Sequence, residues 1–374
     1  MINQDRILAE FLELVQVDSV SGHERALADL LASRLKELGL DVYEDGAGAV
    51  TGGEAGNLIA TLPARGPERP LLLVAHMDTV EPGRGVRPVV ENGVVRSAGD
   101  TILGGDDKAG IVTILEVLRV IKEDQLVHGG LEVVFTIGEE SGLLGAKHLD
   151  HTRLRSSTGY VLDCDGPAGT IVMQAPAQDK IEAVVRGRAA HAGINPEDGV
   201  NAIAVAAHAV ARMNLGRIDE ETTANIGVIS GGKATNIVPD FCRLEGETRS
   251  LTGHKCRAQT AAMVEVLETT AARFGARVEV TTQTLYHEFK LDESHPAIVV
   301  AQKAAENLGL VSRLVKTGGG SDANIFNARG ITCVNLGIGM QKVHTTEEFI
   351  RIDDLVTNAR YLLEIIRVAN AGDR

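Results

Sequence analysis

The segment "LLLVAHMDTV" (residues 71–80) indicates the fold of this chain and raises a question about its function. Its first five residues, from Leu71 to Ala75, form an unbroken apolar run, which is typical of a strand buried on both faces of a parallel sheet. His76 and Asp78 follow directly. Ligands of open α/β sheets bind just beyond the carboxyl ends of the strands, so an imidazole and a carboxylate at this point mark a candidate site.

Buried strands and amphipathic helices alternate through the first half of the chain. Two more apolar segments, "LEVVFTIG" from Leu131 and "GYVLD" from Gly159, predict strands, and "GGDDKAG" (residues 104–110) precedes an amphipathic helix. At the start of an earlier helix, Ser21 and Glu24 in "SGHE" have the spacing of a capping box. This alternation predicts an α/β fold with a mixed, mostly parallel sheet covered by helices on both faces.

The pattern changes near residue 178 and returns near residue 291. Between these points the sequence predicts two helices among four strands, and "CRLEGETRSL" (residues 242–251) alternates as a half-buried strand does. A chain of 374 residues is also long for a single core. We therefore predict a catalytic domain formed by residues 1–177 and 291–374. Residues 178–290 would form an inserted α+β domain with a four-stranded sheet and two helices.

Composition excludes several classes of partner. The formal net charge is -14, no basic cluster is present, and aromatic residues make up only 3%, with no Trp, which argues against nucleic acid and anionic membranes. No run of about 18 apolar residues predicts a membrane span, and the N-terminus does not resemble a signal peptide. The four cysteines include no Cys-x-x-Cys pair, which is typical of reduced thiols. We expect a cytoplasmic protein.

Several loops that follow predicted strands or precede helices carry histidine or carboxylate side chains. On the predicted sheet, five such loops converge on one edge. Taken singly, an acidic residue there is commonly a helix cap or a partner of the helix dipole. Together, the carboxylates would repel one another unless cations neutralised them, and imidazole with carboxylate suits zinc, manganese or cobalt. The residues are His76, Asp78, Asp106, Asp107, Glu139, Glu140, Asp163, Asp165 and His344.

The adjacent pair Glu139 and Glu140 predicts a division of labour. Consecutive side chains in extended backbone point in opposite directions, so the two carboxylates should not have the same role. One can bind a metal ion while the other faces the water that the metal activates. This is the arrangement of a general base beside a metal-activated nucleophile.

At this point the sequence resembles the zinc-dependent aminoacylase, carboxypeptidase G and peptidase T superfamily. The resemblance covers nearly the whole chain, and "TILGGDDKAG" followed by "DCDG" is most similar to the peptidase T branch. The motifs that carry it are, in order, "AHMDTV", "LGGDDKAGI", "TIGEESGLLGA", "DCDGPAG", "GRAAHAGINPEDGVNAI", "GGSDAN" and "HTTEE".

The resemblance implies two divalent metal ions per chain, expected to be zinc, with manganese or cobalt as alternatives. His76, Asp106 and Asp165 would hold one ion. Asp106, Glu140 and His344 would hold the other, so that Asp106 bridges the two.

The resemblance also implies roles for residues around the ions. Glu139 would be the general base, and Asp78 would orient the His76 ring through its free nitrogen. The Asp106–Asp107 peptide bond is expected to be cis. Within "DCDG" the Asp-Gly pair favours Asp165 as the ligand, and Asp163, which is nearer the strand end, is the alternative.

The inserted domain would be the lid of the family. His191 in "AAHAG" would stabilise the oxyanion, although a histidine in a turn among small residues is the simpler interpretation. Arg249 would bind a substrate carboxylate; the alternative is a solvated charge on an alternating strand. Asn236 is a weaker candidate for a substrate contact. Lids of this family often pair, so a homodimer through this domain is a further expectation, in which His191 would serve the neighbouring subunit.

The leading hypothesis is a zinc-dependent exopeptidase, similar to a tripeptide aminopeptidase, that cleaves short peptides. An N-acyl-amino-acid deacylase or carboxypeptidase-type amidohydrolase, acting on N-acyl amino acids, shares the same motifs and remains the alternative. A catalytically silent relative would be expected to have lost a ligand or Glu139, and all these positions are filled. A nicotinamide oxidoreductase would carry a Gly-x-Gly-x-x-Gly segment after an early strand, and this sequence has none there.

Overall fold

The computed structural model describes residues 1–371, which form ten α-helices and seventeen strands. The helices are α1 (Gln4–Leu14), α2 (Arg25–Glu37), α3 (Ala47–Thr51), α4 (Gly105–Glu123), α5 (Leu144–His148), α6 (Ala202–Val210), α7 (Gly253–Arg273), α8 (Pro296–Asn307), α9 (Asp322–Ala328) and α10 (Ile352–Ala371). The strands are β1 (Asp41–Glu44), β2 (Leu58–Leu62), β3 (Leu71–His76), β4 (Pro88–Glu91), β5 (Val94–Ser97), β6 (Leu131–Thr136), β7 (Thr158–Cys164), β8 (Thr170–Ala175), β9 (Ala177–Arg186), β10 (Gly216–Arg217), β11 (Thr222–Gly231), β12 (Phe241–Ser250), β13 (Arg277–Tyr286), β14 (Phe289–Lys290), β15 (Arg313–Lys316), β16 (Thr332–Gly337) and β17 (Phe349–Arg351).

The chain divides into two compact units. The first contains residues 1–173, 291–316 and 321–371, and the second contains Gln174–Lys290 and Thr317–Gly320. The sequence-based boundaries of the inserted segment were 178 and 290. The short piece Thr317–Gly320 joins the second unit because Gly320 packs against Tyr286, so closely that a Cβ at Gly320 would lie 2.2 Å from the Tyr286 ring.

The first unit is built on a mixed sheet with a parallel centre. The strand order within this unit is β1-β2-β6-β3-β7-β16-β8, and β15 also pairs with β8. The central strands β6, β3, β7 and β16 are mutually parallel, whereas β2 and β8 run antiparallel to β6 and β16, and β1 runs antiparallel to β2. Every residue of β3 and β6 is buried, so both faces of the sheet centre are covered. This confirms the predicted mixed, mostly parallel sheet.

Helices of the first unit bury their apolar sides against this sheet and against one another. Helix α4 packs on β3 and β7 and is itself covered by α1 and α10, while α9 packs on β16. The α4 side chains Ile111, Ile114, Leu115 and Leu118 are almost completely buried, as their spacing predicts. A small antiparallel sheet of β17, β5 and β4 lies beside this core.

The second unit is an antiparallel sheet with two helices. Its strand order is β10-β11-β12-β9-β13, and α6 and α7 pack on β9 and β12 around a separate apolar core. The predicted α+β architecture is confirmed, with one addition: the two-residue strand β10 extends the four predicted strands to five. Strand β10 could not be predicted from the sequence, because two residues are too few to show an alternating pattern.

Within residues 1–371, no helix combines the length and the apolar character needed to cross a membrane.

Candidate metal centre

The buried strand β3 ends at His76, whose ring lies at the centre of the site. His76 Nδ1 lies 2.9 Å from the backbone oxygen of Asp78. Because a carbonyl oxygen can only accept, Nδ1 must carry a hydrogen, and Nε2 is the ring nitrogen that faces the site. That nitrogen lies 3.1 Å from Asp106 Oδ1. The ring is therefore oriented as a metal ligand through Nε2.

Asp106 lies between two histidines. Its Oδ1 faces His76 Nε2 at 3.1 Å, and its Oδ2 faces His344 Nε2 at 3.2 Å. The backbone at Asp106 and Asp107 is not helical although both residues belong to α4, and the peptide bond between them is cis, as expected. One carboxylate thus offers a separate oxygen to each of two positions, which is the geometry of a bridging ligand.

The second position is completed by Glu140 and His344. His344 Nε2 lies 2.7 Å from Glu140 Oε1. Glu140 follows β6, and His344 lies in the loop before β17, so the two residues are more than 200 positions apart in the chain. The structure therefore brings together four of the predicted ligands, namely His76, Asp106, Glu140 and His344.

The preference for Asp165 over Asp163 is reversed by the structure. Asp163 Oδ1 lies 3.7 Å from His76 Nε2, whereas the Asp165 side chain is exposed and accepts a bond from Cys164 Sγ. Strand β7 continues through Cys164, and Asn335 of β16 holds the Asp163 backbone on both sides. Asp163 is thus fixed inside the strand, and the chain turns away at Gly166, where φ is +92°. Asp163, and not Asp165, is therefore the carboxylate of this segment that lies beside His76.

Asp107 also faces the site, but its oxygens serve the backbone. Its Oδ2 accepts from His76 N at 3.1 Å, and its Oδ1 accepts from Gly110 N at 3.1 Å. The side chain is completely buried, and burial raises its pKa well above the ordinary value. Asp107 therefore ties the end of β3 to the first turn of α4.

Asp78 contacts the Nδ1 side of the His76 ring and also binds the loop that follows β6. Its carboxylate accepts hydrogen bonds from Glu139 N at 2.9 Å, from Glu140 N at 3.1 Å and from Ser21 Oγ at 2.6 Å. The carboxylate is 3.5 Å from His76 Nδ1, whose hydrogen bond goes instead to the Asp78 backbone. Asp78 therefore acts mainly on the loop that carries the glutamate pair.

Glu24 binds the backbone amide of Gly138, next to the two amides that Asp78 binds. The capping-box prediction for "SGHE" is wrong. Helix α2 begins at Arg25, and no side chain caps it. Instead, Glu24 Oε1 accepts from Gly22 N at 2.9 Å and from Gly138 N at 3.1 Å. The three consecutive amides of residues 138–140 are thus held by two buried carboxylates, Asp78 and Glu24. We call this pair the amide clamp.

Glu139 lies in the segment that the amide clamp holds, and its own backbone amide is one of the three. Its side chain is buried, with the residue 9% exposed. Burial, followed by the nearby charge of Asp163, raises the pKa of Glu139 well above its ordinary value. A buried carboxylate that holds a proton unusually firmly has the properties of a group that accepts and returns one.

The electrostatics of the cluster favour bound cations. Burial raises the pKa of Asp163 well above its ordinary value. For Asp106 burial acts in the same direction, but the hydrogen bonds from His344 and His76 outweigh it and leave its pKa below the ordinary value. The contact with Asp106, and then that with Glu140, raises the pKa of His344 to about 10. Protonated imidazoles thus balance the carboxylates, and divalent cations held by the same atoms would replace those protons.

Two buried carboxylates near the site escaped the sequence analysis, although their motifs were noted. Asp322, in "GGSDAN", accepts from Thr136 Oγ1 at 2.6 Å, and burial raises its pKa to about 6. Glu348, in "HTTEE", accepts hydrogen bonds from the turn that carries Asp106. The only feature of the sequence that could have pointed to these two residues is their position within motifs that resemble those of the family.

With this geometry described, comparison with known proteins identifies the family. The model of peptidase family M20/M25/M40 matches residues 72–368. The chain belongs to this family. The prediction of a peptidase T-like branch is also confirmed by the relatives of this M20 peptidase.

Two solved structures and one curated protein illustrate that similarity. A tripeptidase from Staphylococcus aureus has 45% identity and a TM-score of 0.95, covering 99% of this chain and 100% of the other. Aminopeptidase PepT from Bacillus cereus has 47% identity and a TM-score of 0.89, covering 98% and 99%. Peptidase T of Shigella boydii is 27% identical over 419 residues, covering 96% of this chain and 98% of the relative.

The remaining predicted residues of this M20 peptidase belong to the second unit. His191 and Asn236 lie side by side, because Ala192 N donates to Asn236 O at 2.9 Å and His191 pairs with Ile237. Both side chains belong to exposed residues. Arg249, on β12, forms a two-point ion pair with Glu247 at 3.0 and 3.1 Å. A substrate carboxylate would therefore have to compete with Glu247 for this guanidinium.

The reversal within "DCDG" can be tested directly. We expect Asp163→Asn to weaken the binding of one divalent ion by at least about tenfold, since even the loss of an indirect partner of a ligand costs about 10–100-fold. Asp165→Asn is the matched control and should bind both ions as the wild type does. The measurement is zinc titration against a chromophoric chelator. Equal losses in the two variants, or a loss in Asp165→Asn alone, would contradict the assignment of Asp163.

Proposed function

We propose that this M20-family chain is a hydrolase with two divalent metal ions that removes the N-terminal residue of short peptides, as a tripeptide aminopeptidase does. The observation that carries the proposal is the position of Asp106, whose two oxygens face two different imidazoles at 3.1 and 3.2 Å. The substrate class is supported by the similarity to a tripeptidase and to an aminopeptidase PepT at 45% and 47% identity.

The residues fit two divalent ions. His76, Asp106 and Asp163 would hold one ion, and Asp106, Glu140 and His344 would hold the other. The donor atoms are imidazole nitrogens and carboxylate oxygens, which suit zinc first and manganese or cobalt as alternatives. When bound, such ions supply a Lewis acid for the scissile carbonyl and lower the pKa of the attacking water.

Glu139 would move the proton of the reaction. Its carboxylate takes a proton from the water as the water oxygen bonds to the carbonyl carbon. It then gives that proton to the nitrogen of the leaving amine as the carbon–nitrogen bond breaks. The buried position and raised pKa of Glu139 favour a group that does both.

The amide clamp would keep the backbone of Glu139 in one position during both proton transfers. Asp78 and Glu24 hold the backbone of residues 138–140, so the side chains of Glu139 and Glu140 leave a fixed backbone in their different directions. One carboxylate is thereby directed to the ion position beside His344, and the other remains available for water. Fixed backbone geometry of this kind limits the movement that catalysis would otherwise have to restrict.

Residues of the second unit would contribute substrate contacts. His191 would stabilise the oxyanion, and the neighbouring Asn236 would make a weaker contact on the same surface. Arg249 would bind the substrate carboxylate in competition with Glu247, which already occupies its fork. The M20 fold also supports the alternative function, an N-acyl-amino-acid deacylase or carboxypeptidase-type amidohydrolase, because the same ligands would serve any amide.

A substrate panel separates these functions. Free tripeptides should be cleaved at the first peptide bond, and N-acetylated tripeptides and N-acyl amino acids should be poor substrates, because an aminopeptidase requires a free amine. C-terminally amidated tripeptides serve as the matched control for end specificity. Product analysis by mass spectrometry gives the bond that is cleaved. Faster hydrolysis of N-acyl amino acids would favour the alternative, and inactivity of the zinc-loaded protein on every substrate would refute the hydrolase.

Replacement of the proposed base gives a second test. Glu139→Gln should lower kcat by about 10²–10⁴-fold because the amide cannot accept the proton, while metal content remains that of the wild type. Glu140→Gln is the neighbouring control and should instead lose metal, which elemental analysis measures. If Glu139→Gln retains wild-type kcat, the base is another group.

We also propose that two copies of the chain pair through the second unit. Strand β11 is bonded to β12 on one side, whereas within residues 1–371 its other edge is paired only near its start, by the short β10. Val228 and Ile229, farther along β11, are 45% and 52% exposed. An unpaired edge with apolar side chains is a surface on which a second strand can be added. A cytoplasmic location is proposed as well, because all four cysteines are free and buried.

The pairing can be measured by light scattering after size-exclusion chromatography. The wild type should have the mass of a dimer, and the double variant Val228→Glu with Ile229→Lys should have that of a monomer, since charges at an edge oppose strand addition. Val311→Lys, which alters an exposed valine of the first unit, is the control and should remain dimeric. A monomeric wild type would refute the pairing.

A further inference from the structure

Glu348 is a buried carboxylate that the proposed chemistry does not use. It is 1% exposed and lies in the loop just before β17. Its Oε2 accepts hydrogen bonds from Leu103 N and Gly104 N, both at 2.8 Å, and its Oε1 accepts from Asp106 N at 3.0 Å. Three backbone amides of one short turn thus converge on a single side chain that is more than 240 residues away in the chain.

The turn is shaped to admit this carboxylate. Gly104 has φ of +75°, a left-handed conformation that glycine adopts without strain. At Gly105, an added Cβ would lie 3.0 Å from Glu348 Oε1, closer than a carbon normally approaches an oxygen. The adjacent glycines therefore allow the backbone to approach Glu348 and direct its amides towards the carboxylate.

Glu348 and His344 belong to one closed loop. The loop is joined at its base by paired bonds between Gln341 and Phe349, both at 3.0 Å, and Glu348 N donates to Thr345 O at 3.1 Å. This loop contacts both the side chain and the backbone of Asp106. His344 Nε2 lies 3.2 Å from the Asp106 side chain, and Glu348 accepts the Asp106 backbone amide. The side chain and the backbone of Asp106 are thus held by the same element.

We propose that Glu348 is a positioning residue that fixes Asp106 between the two ion positions, an inference that rests on the proposed two-metal function. Because Asp106 is the only ligand shared by both ions, displacement of its backbone weakens both positions together. Loss of Glu348 therefore has a different effect from loss of an ordinary ligand such as Glu140, which belongs to one position.

A purely structural role for Glu348 would have a different signature. Three buried amides without an acceptor would lower the stability of the fold, but at a temperature where the protein is folded the affinity for metal would be unchanged. A positioning role changes the affinity of both ions in the folded protein. Metal affinity measured well below the unfolding midpoint therefore separates the two roles.

The experiment compares Glu348→Gln, Glu348→Asp and Glu347→Gln with the wild type. Glu347 is the matched control because it is the adjacent glutamate, is largely exposed and pairs with Lys342. Each full-length protein is stripped with a chelator, checked for folding by circular dichroism and titrated with zinc against a chromophoric competitor. Cobalt is then added in place of zinc, and the visible absorption spectrum reports the geometry of the ligands.

Glu348→Gln should bind both ions about 10–100-fold more weakly, as loss of a group that orients a ligand does, and should shift the cobalt spectrum. Glu348→Asp retains the charge on a shorter side chain and should fall between Glu348→Gln and the wild type; it also supplies the answer if Glu348→Gln does not fold. Glu347→Gln should match the wild type in both measurements.

Wild-type affinity for both ions in folded Glu348→Gln or Glu348→Asp would overturn the proposal and leave the two-metal function intact. Weakening of only one ion would also overturn it, because the shared ligand would then not be the one displaced. A wild-type protein that binds no zinc or cobalt would refute the proposed function, and the positioning role with it.

Discussion

The sharing of Asp106 between two imidazoles is the interaction on which the site depends. One oxygen faces His76 and the other faces His344, and the remaining ligands fall on either side of this arrangement. Burial of so many carboxylates is unfavourable in the absence of positive charge. Burial, and after it the neighbouring charges, raises the pKa values of Asp163 and Glu139, and the hydrogen bonds with Asp106 and Glu140 raise the pKa of His344. The M20 fold therefore maintains a buried negative cluster whose natural complement is a pair of cations.

The carboxylates of this cluster fall into two groups that differ in what their oxygens contact. Asp78, Asp107, Glu24 and Glu348 accept hydrogen bonds from backbone amides of the loops that carry the ligands. The carboxylates of Asp106, Asp163, Glu139 and Glu140 instead face imidazoles or the site. The first group fixes the backbone of the second, so the ligand geometry is set by backbone amides as much as by side-chain packing.

The sequence could predict the central strands and most of the side chains that cluster at the site, because both have strong physical signals. Apolar runs such as Leu71–Ala75 indicate strands buried on both faces, and the carboxyl ends of parallel strands share one edge, which brought His76, Asp106, Glu140 and His344 together. The Asp-Gly pair favours Asp165 in the sequence, which cannot show that Asn335, a partner far away in the chain, holds the backbone of Asp163 inside β7. Glu24 and Glu348 were missed in these roles because a side chain that binds backbone amides requires no particular residue type at its partners.

The order of strands in the first unit has a consequence for synthesis of the chain. Strand β16 lies between β7 and β8 in the sheet, although it follows both in sequence and is separated from them by the whole second unit. The ribosome synthesises β7 and β8 long before residues 332–337, so the pairings of β16 with β7 and β8 can form only after the inserted segment has been made. His344 and Glu348 emerge later still. The N-terminal half of the nascent chain therefore cannot bring His76, Asp106, Glu140 and His344 together, because His344 is made only near the end of translation.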